Sequence, residues 1–200
     1  MKNKKENFFI VGFGTHARKK LLPALQNLNK RVCGIVSSKH QLNTSIPIFK
    51  DIKNASNSIN DCTKFIISSP PNIHFSQVKQ ILNMNKNIYV EKPIFINSFQ
   101  AKEIDKILIN KNVFVTEILM YKYTHLYKSF LKTWSKRKDE CVKIECFFNI
   151  PEIPNNTFRD DYSLISSPLY DIGCYPLTLL VDLQISLKNL KILHINKKNN

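Results

Sequence analysis

The segment Phe8-Phe9-Ile10-Val11-Gly12-Phe13-Gly14-Thr15-His16-Ala17 constrains this chain most. Four apolar residues read as a buried parallel strand. Two glycines then turn the chain, and Leu21, Leu22, Leu25 and Leu28 follow at helical spacing. A strand, a glycine turn and a helix in this order set backbone N–H groups and a helix N-terminus around an anion. Gly12 permits the tight turn, Gly14 lets a pyrophosphate approach the backbone, and Ala17 lets helix and strand pack closely. Thr15 and His16 complete the turn. The pattern G-x-G-x-x-A in this context marks a dinucleotide-binding unit.

Alternation of strands and helices continues along the chain. Arg31 to Val36 reads as a strand, as do Lys64 to Ser68, Ile88 to Val90 and Val113 to Val115. Between them, Val78, Ile81 and Leu82 mark one helix and Ile104, Ile107 and Leu108 another. Asn72 reads as an N-cap after Ser69-Pro70-Pro71. The predicted fold is α/β, a doubly wound parallel sheet, with its ligand outside the strand carboxyl ends.

Those ends carry the chemistry. Ser37-Ser38-Lys39-His40 stands where the adenosine ribose is met. No acid is there to mark NAD, and hydroxyls plus a cation suit a 2′-phosphate, so NADP is favoured over NAD. Glu91-Lys92-Pro93 ends the strand at Ile88 to Val90 and puts an ammonium group beside the expected nicotinamide. Ser69, Pro70, Asn72 and His74 form a further loop on the same side.

Gly12 to Ala17, Pro70-Pro71-Asn72-Ile73-His74 and Glu91-Lys92-Pro93 together resemble the Gfo/Idh/MocA oxidoreductases. Glu117 to Tyr123 is similar to that family's crossover into its second domain. Leu169 to Tyr175 is similar to its substrate-domain helix. The resemblance implies a Rossmann domain over 1–118 and an incomplete α+β substrate domain over 119–200. It implies hydride transfer between NAD(P) and a sugar, sugar-nucleotide or cyclitol hydroxyl or carbonyl. Lys92 is the catalytic lysine by this likeness, Tyr175 the acid/base in place of the family's histidine, and Asp171 a substrate contact. Cofactor contacts fall on Gly12, Gly14, Thr15, His16, Ala17, Ser37, Ser38, Lys39, Ser69, Pro70, Asn72, His74, Glu91 and Lys92. A phenol of ordinary pKa about 10 needs a neighbouring cation to act as a base. Asp171 and Tyr175, four apart, share a face on a helix.

The second half is short for this reading. Val142, Ile144, Cys146, Phe148 and Ile150 alternate as a strand, Leu177 to Leu183 form an apolar helix, and Leu190 to Ile195 offer one more strand. The family has a larger open sheet here, and paired glycines where Ser166-Ser167-Pro168 stands. An alternative therefore stays open: a non-catalytic remnant or one half of a split enzyme that retains nucleotide binding. An uncovered sheet face implies a homo-oligomer or a complementing chain.

Composition bounds the remainder. The 200 residues carry a formal net charge of +15. Lysines are scattered among asparagines, and arginine stands only at Arg18, Arg31, Arg137 and Arg159, so no nucleic-acid patch is expected. Five cysteines without a C-x-x-C pair point to no metal and to a reducing, cytoplasmic setting. No apolar run has transmembrane length, so no membrane partner is expected.

The residues after the second strand generate a first prediction. NADPH binds more tightly than NADH in equilibrium fluorescence titration, and Lys39→Asp narrows or reverses the preference by adding like-charge repulsion. Tighter NADH binding by the unaltered chain contradicts it.

Overall fold

The computed structural model describes residues 6–39, 42–148, 168–189 and 191. Its centre is a six-stranded sheet in the order β3-β2-β1-β4-β5-β6. The strands are β1 (Asn7–Val11), β2 (Arg31–Val36), β3 (Ile48–Phe49), β4 (Lys64–Ile67), β5 (Asn87–Glu91) and β6 (Val115–Ile118). Every neighbouring pair is parallel. This is the doubly wound order, which reverses direction between β1 and β4 and opens a crevice there.

Side chains on each strand alternate between the two faces, and both faces are apolar. Phe9 and Val11 of β1 join Phe65, Ile67, Ile88 and Val90 in the larger core. Helices α2 (Ile52–Ser58), α3 (His74–Asn83) and α4 (Ser98–Leu108) cover it through Ile52, Val78, Ile81 and Ile104. Phe8, Ile10 and Ile66 point the other way, against Ala17 and Leu25. Leu25 belongs to α1 (Leu22–Asn27), which continues a π-helical turn over Ala17–Leu21. Asp51 and Asn97 cap α2 and α4 by accepting from the backbone N–H groups of Asn54 and Gln100.

Beyond β6 the described residues are mainly helical. They form α5 (His125–Arg137), α6 (Pro168–Asp171) and α7 (Cys174–Asp182). Tyr121 holds α7 by a 2.6 Å hydrogen bond between its hydroxyl and that of Thr178. Lys122 pairs with Asp182 at 2.8 Å.

Three sequence expectations need correction. The last strand of the sheet begins at Val115, not Val113, because its paired ladder to β5 starts where Val115 opposes Ile88; Phe114 precedes it, its carbonyl accepting from Ile88 N–H at 2.9 Å and its N–H donating to Asn87 Oδ1 at 3.1 Å. Asn72 is not an N-cap: it is exposed within a 3₁₀ turn, Pro71–Ile73, ahead of α3. Residues 141–148 form no strand despite their alternation. Val142 is 100% exposed and Phe147 83%. A strand exists by pairing its backbone with a neighbour, and among the described residues none pairs with this segment. Positions 149, 150, 166 and 167 lie outside the described residues, as do His40 and the expected strand at 190–195 apart from Lys191. The strand β3 and helix α2 lie beyond what the sequence pattern announces.

The fold depends sharply on Gly12. Its φ is +84°, and a Cβ there would stand 2.6 Å from the backbone nitrogen of Ser69. Gly12→Ala is expected to destabilise by about 2–4 kcal/mol, combining left-handed strain with overpacking against rigid backbone. Urea denaturation measures this, and an unchanged midpoint contradicts it.

Candidate functional site

Because all strands are parallel, their carboxyl ends lie along one edge. The glycine turn is stitched into that edge by backbone hydrogen bonds. Gly12 N–H donates to Val36 O at 2.9 Å, and Ser68 N–H donates to Val11 O at 2.7 Å. The helical segment starts with Gly14 O accepting from Arg18 N–H at 3.1 Å. Among the described residues, a Cβ at Gly14 would meet no atom within 4 Å. The turn is thus closed on the Gly12 side and open on the Gly14 side, where Thr15 is also exposed. That open cradle, at a helix start, fits an approaching pyrophosphate. Ala17 faces inward and is fully buried, so its part is packing.

Ser37, Ser38 and Lys39 follow β2, which runs beside β1. The Ser37 hydroxyl accepts from Lys39 N–H at 3.1 Å, leaving Ser38 and the Lys39 side chain exposed. After β4, the Ser69 hydroxyl donates to Gln77 Oε1 at 2.6 Å. Pro70 is half-buried and Asn72 exposed.

His74 is fully buried. Its Nε2 lies 2.8 Å from Ser69 O and its Nδ1 3.0 Å from Pro93 O. Burial pushes its pKa below the ordinary imidazole value, while the two carbonyls oppose that shift. His74 therefore braces the β4 loop against the β5 loop rather than facing the crevice.

Four successive residues, starting with the last of β5, are held from four places. Glu91 Oε1 accepts from His16 Nε2 at 2.9 Å. Lys92 Nζ donates to Asp171 Oδ1 at 2.5 Å and also to the Asp171 carbonyl. The Pro93 carbonyl meets His74, and Ile94 N–H donates to Glu117 Oε1 at 2.9 Å. The Lys92 and Asp171 side chains are 16% and 11% exposed, so the pair is largely removed from water. The Lys92 ammonium also lies 5.5 Å from the centre of the Tyr175 ring. Tyr175 stacks on Phe148 at 4.7 Å and meets Tyr121 edge-on at 5.6 Å.

Asp171 and Tyr175 do not share one continuous helix. Asp171 ends α6 and Tyr175 lies in α7, with Ile172 and Gly173 in the turn between. They nevertheless converge on Lys92. Cys174 lies beside them, and burial pushes its thiol pKa up.

Sequence reasoning missed Glu117 as a site residue. It belongs to β6, and burial pushes its carboxyl pKa up, opposed by the Ile94 N–H and by Lys122 and Lys92. The available signal was an acid beside Thr116 and between Val115 and Ile118 in a short strand. The Phe148–Tyr175 stack had none, since nothing in the pattern links those positions.

Residues 7–118 match the model of the oxidoreductase family with an NAD-binding Rossmann fold, GFO_IDH_MocA. This chain belongs to that family. The family member resembles in fold a 3-ketoreductase from Actinomadura kijaniata, solved with NADP and TDP-benzene. The TM-score is 0.74 at 19% identity, covering 90% of this chain and 57% of that one. It also resembles the WlbA dehydrogenase from Thermus thermophilus, solved with NAD and UDP-GlcNAcA. There the TM-score is 0.72 at 12% identity, covering 89% of this chain and 62% of that one. An uncharacterised oxidoreductase of Schizosaccharomyces pombe is 39% identical over 51 residues, 26% of this chain and 14% of its own. The family member thus spans little more than half of the solved relatives' length.

Glu117 generates a pH prediction. Its carboxyl titrates above the ordinary value of 4.5 in the folded chain. Its contribution is therefore fully present below that value and is lost as pH rises through the folded pKa. Glu117→Gln retains an acceptor for Ile94 N–H and removes the titration. Measured by urea midpoints, the variant gains on the parent as pH rises from about 4.5 through the raised folded-state value. A pH-independent difference between the two contradicts this.

Proposed function

We propose that this family member binds a nicotinamide dinucleotide along the carboxyl edge of its sheet and transfers hydride to or from a CH–OH carbon of a sugar, sugar nucleotide or cyclitol. The observation that carries the proposal is the meeting of Lys92 with Asp171 and Tyr175 beside the glycine turn.

The residues divide the work by position. Gly12, Gly14, Thr15 and the helix start hold the pyrophosphate. Ser37, Ser38 and Lys39 meet the adenosine ribose, with NADP favoured over NAD. Ser69, Pro70 and Asn72 border the crevice. A bound nicotinamide supplies the hydride acceptor or donor. In the oxidising direction, Tyr175 acts as its phenolate and takes the proton from the substrate hydroxyl oxygen, while hydride leaves the carbon that bears that oxygen. The Lys92 ammonium donates a hydrogen bond to the reacting oxygen, and Asp171 orients that ammonium. In the reducing direction Tyr175 returns the proton to the new hydroxyl.

A net charge of +15 favours anionic substrates, which supports a sugar nucleotide within this class. Residues 1–118 serve as the dinucleotide domain and 119–200 as the substrate side. Exposed Leu126, Val142 and Phe147 support association with a second copy or a complementing chain.

Lys92→Ala is the decisive variant. Turnover of any accepted sugar substrate falls by roughly 10²–10⁴-fold while NADPH affinity is preserved. Retained turnover in the alanine variant refutes the assignment of Lys92.

A further inference from the structure

We propose that His16 is a positioning residue for Lys92, acting through the Glu91 carboxylate and so tying the glycine turn to the reacting lysine. The inference rests on the reading of Lys92 as the reacting group.

His16 belongs to the glycine turn after β1, and Glu91 ends β5. The strand between them is β4, so the pair reaches across two strand spacings, roughly 10 Å. It therefore crosses the sheet edge at the point where strand order reverses, over the crevice a dinucleotide would enter. The two residues are 75 positions apart and meet at 2.9 Å. Glu91 is 14% exposed, so its carboxylate has lost most of its water and needs a donor. Among the described residues, that donor is His16.

The anchor at the other end is firm. Ala17, the next residue, is fully buried in the core under β1. His16 thus projects from a fixed backbone, and fixing Glu91 fixes the peptide from which Lys92 leaves the sheet. On the far side of Lys92, the Pro93 carbonyl is braced by His74. Lys92 is bracketed, and one bracket comes from the turn that holds the cofactor. His74 is fully buried, so its removal tests the fold more than the site. The His16 side chain is 40% exposed, which makes it the informative position.

The test reads Lys92 directly and needs no turnover. The full chain is trace-labelled with acetic anhydride, and Lys92 is quantified by peptide mass spectrometry against Lys79, which pairs with Glu103 between α3 and α4. His16→Ala should raise Lys92 labelling several-fold with Lys79 unchanged. His16→Gln, whose amide N–H can reach the same carboxylate, should restore the parental value. Where the alanine variant melts, His16→Met keeps the bulk without the donor and should raise labelling in the same way. Unchanged Lys92 labelling in the donor-free variants overturns the proposal. So does an equal rise in the glutamine variant, which would assign the effect to shape. A loss of NADPH affinity with Lys92 labelling unchanged makes His16 a cofactor contact and overturns it as well. With a turned-over substrate in hand, His16→Ala lowers kcat by roughly 10- to 100-fold, as a displaced reacting group does. Failure of the Lys92 assignment shows separately, as retained turnover in Lys92→Ala, and leaves the labelling result standing.

Discussion

The Lys92–Asp171 ion pair joins the two halves of this molecule. Its side chains are 16% and 11% exposed, a setting in which neither charge is adequately hydrated alone. Removing one partner of such a pair is far more damaging than the pair is stabilising, because the other is left buried and uncompensated. The Asp171 carbonyl accepts from the same ammonium, so the lysine grips both the backbone and the side chain at the end of α6. The Tyr175 ring then covers the ammonium at 5.5 Å. A sheet edge and a pair of short helices are thereby brought to one point.

That point is steady because its neighbours are steady. Glu91, Pro93 and Ile94 are tied to His16, His74 and Glu117, from the glycine turn, the start of α3 and β6. Contacts from separate elements leave the segment little freedom as a rigid body. The glycine turn is equally determined: Gly12 takes φ +84° and packs its Cα against the Ser69 backbone, while Gly14 faces open space. A closed side that sets the loop and an open side that receives a phosphate are what a preorganised anion site requires.

Beyond the sheet, several large apolar side chains of the described residues stand exposed. Leu126, Val142, Phe147 and Val181 are exposed at 56% or more. Tyr127 of α5 and Lys122 of the preceding turn both hold Asp182 of α7, and Phe148 reaches back to stack on Tyr175. The described residues beyond β6 are thus organised around tyrosines more than around a continuous aliphatic core.

The sequence by itself determined the sheet and the place of the site. Strands such as Phe8 to Val11 are apolar on both faces, and only a sheet covered on both sides can bury them. The helical leucines and the glycine turn then fix where the carboxyl-edge loops fall. Tertiary structure decided what those loops do to one another. His74 became a buried brace because two backbone carbonyls, one nineteen positions away, surround its ring. His16 met Glu91, and Lys92 met Asp171, across separations that no local pattern encodes. The alternation from Val142 was legible and still made no strand, because periodicity states which residues can share a face, whereas a strand needs a neighbouring backbone to pair with.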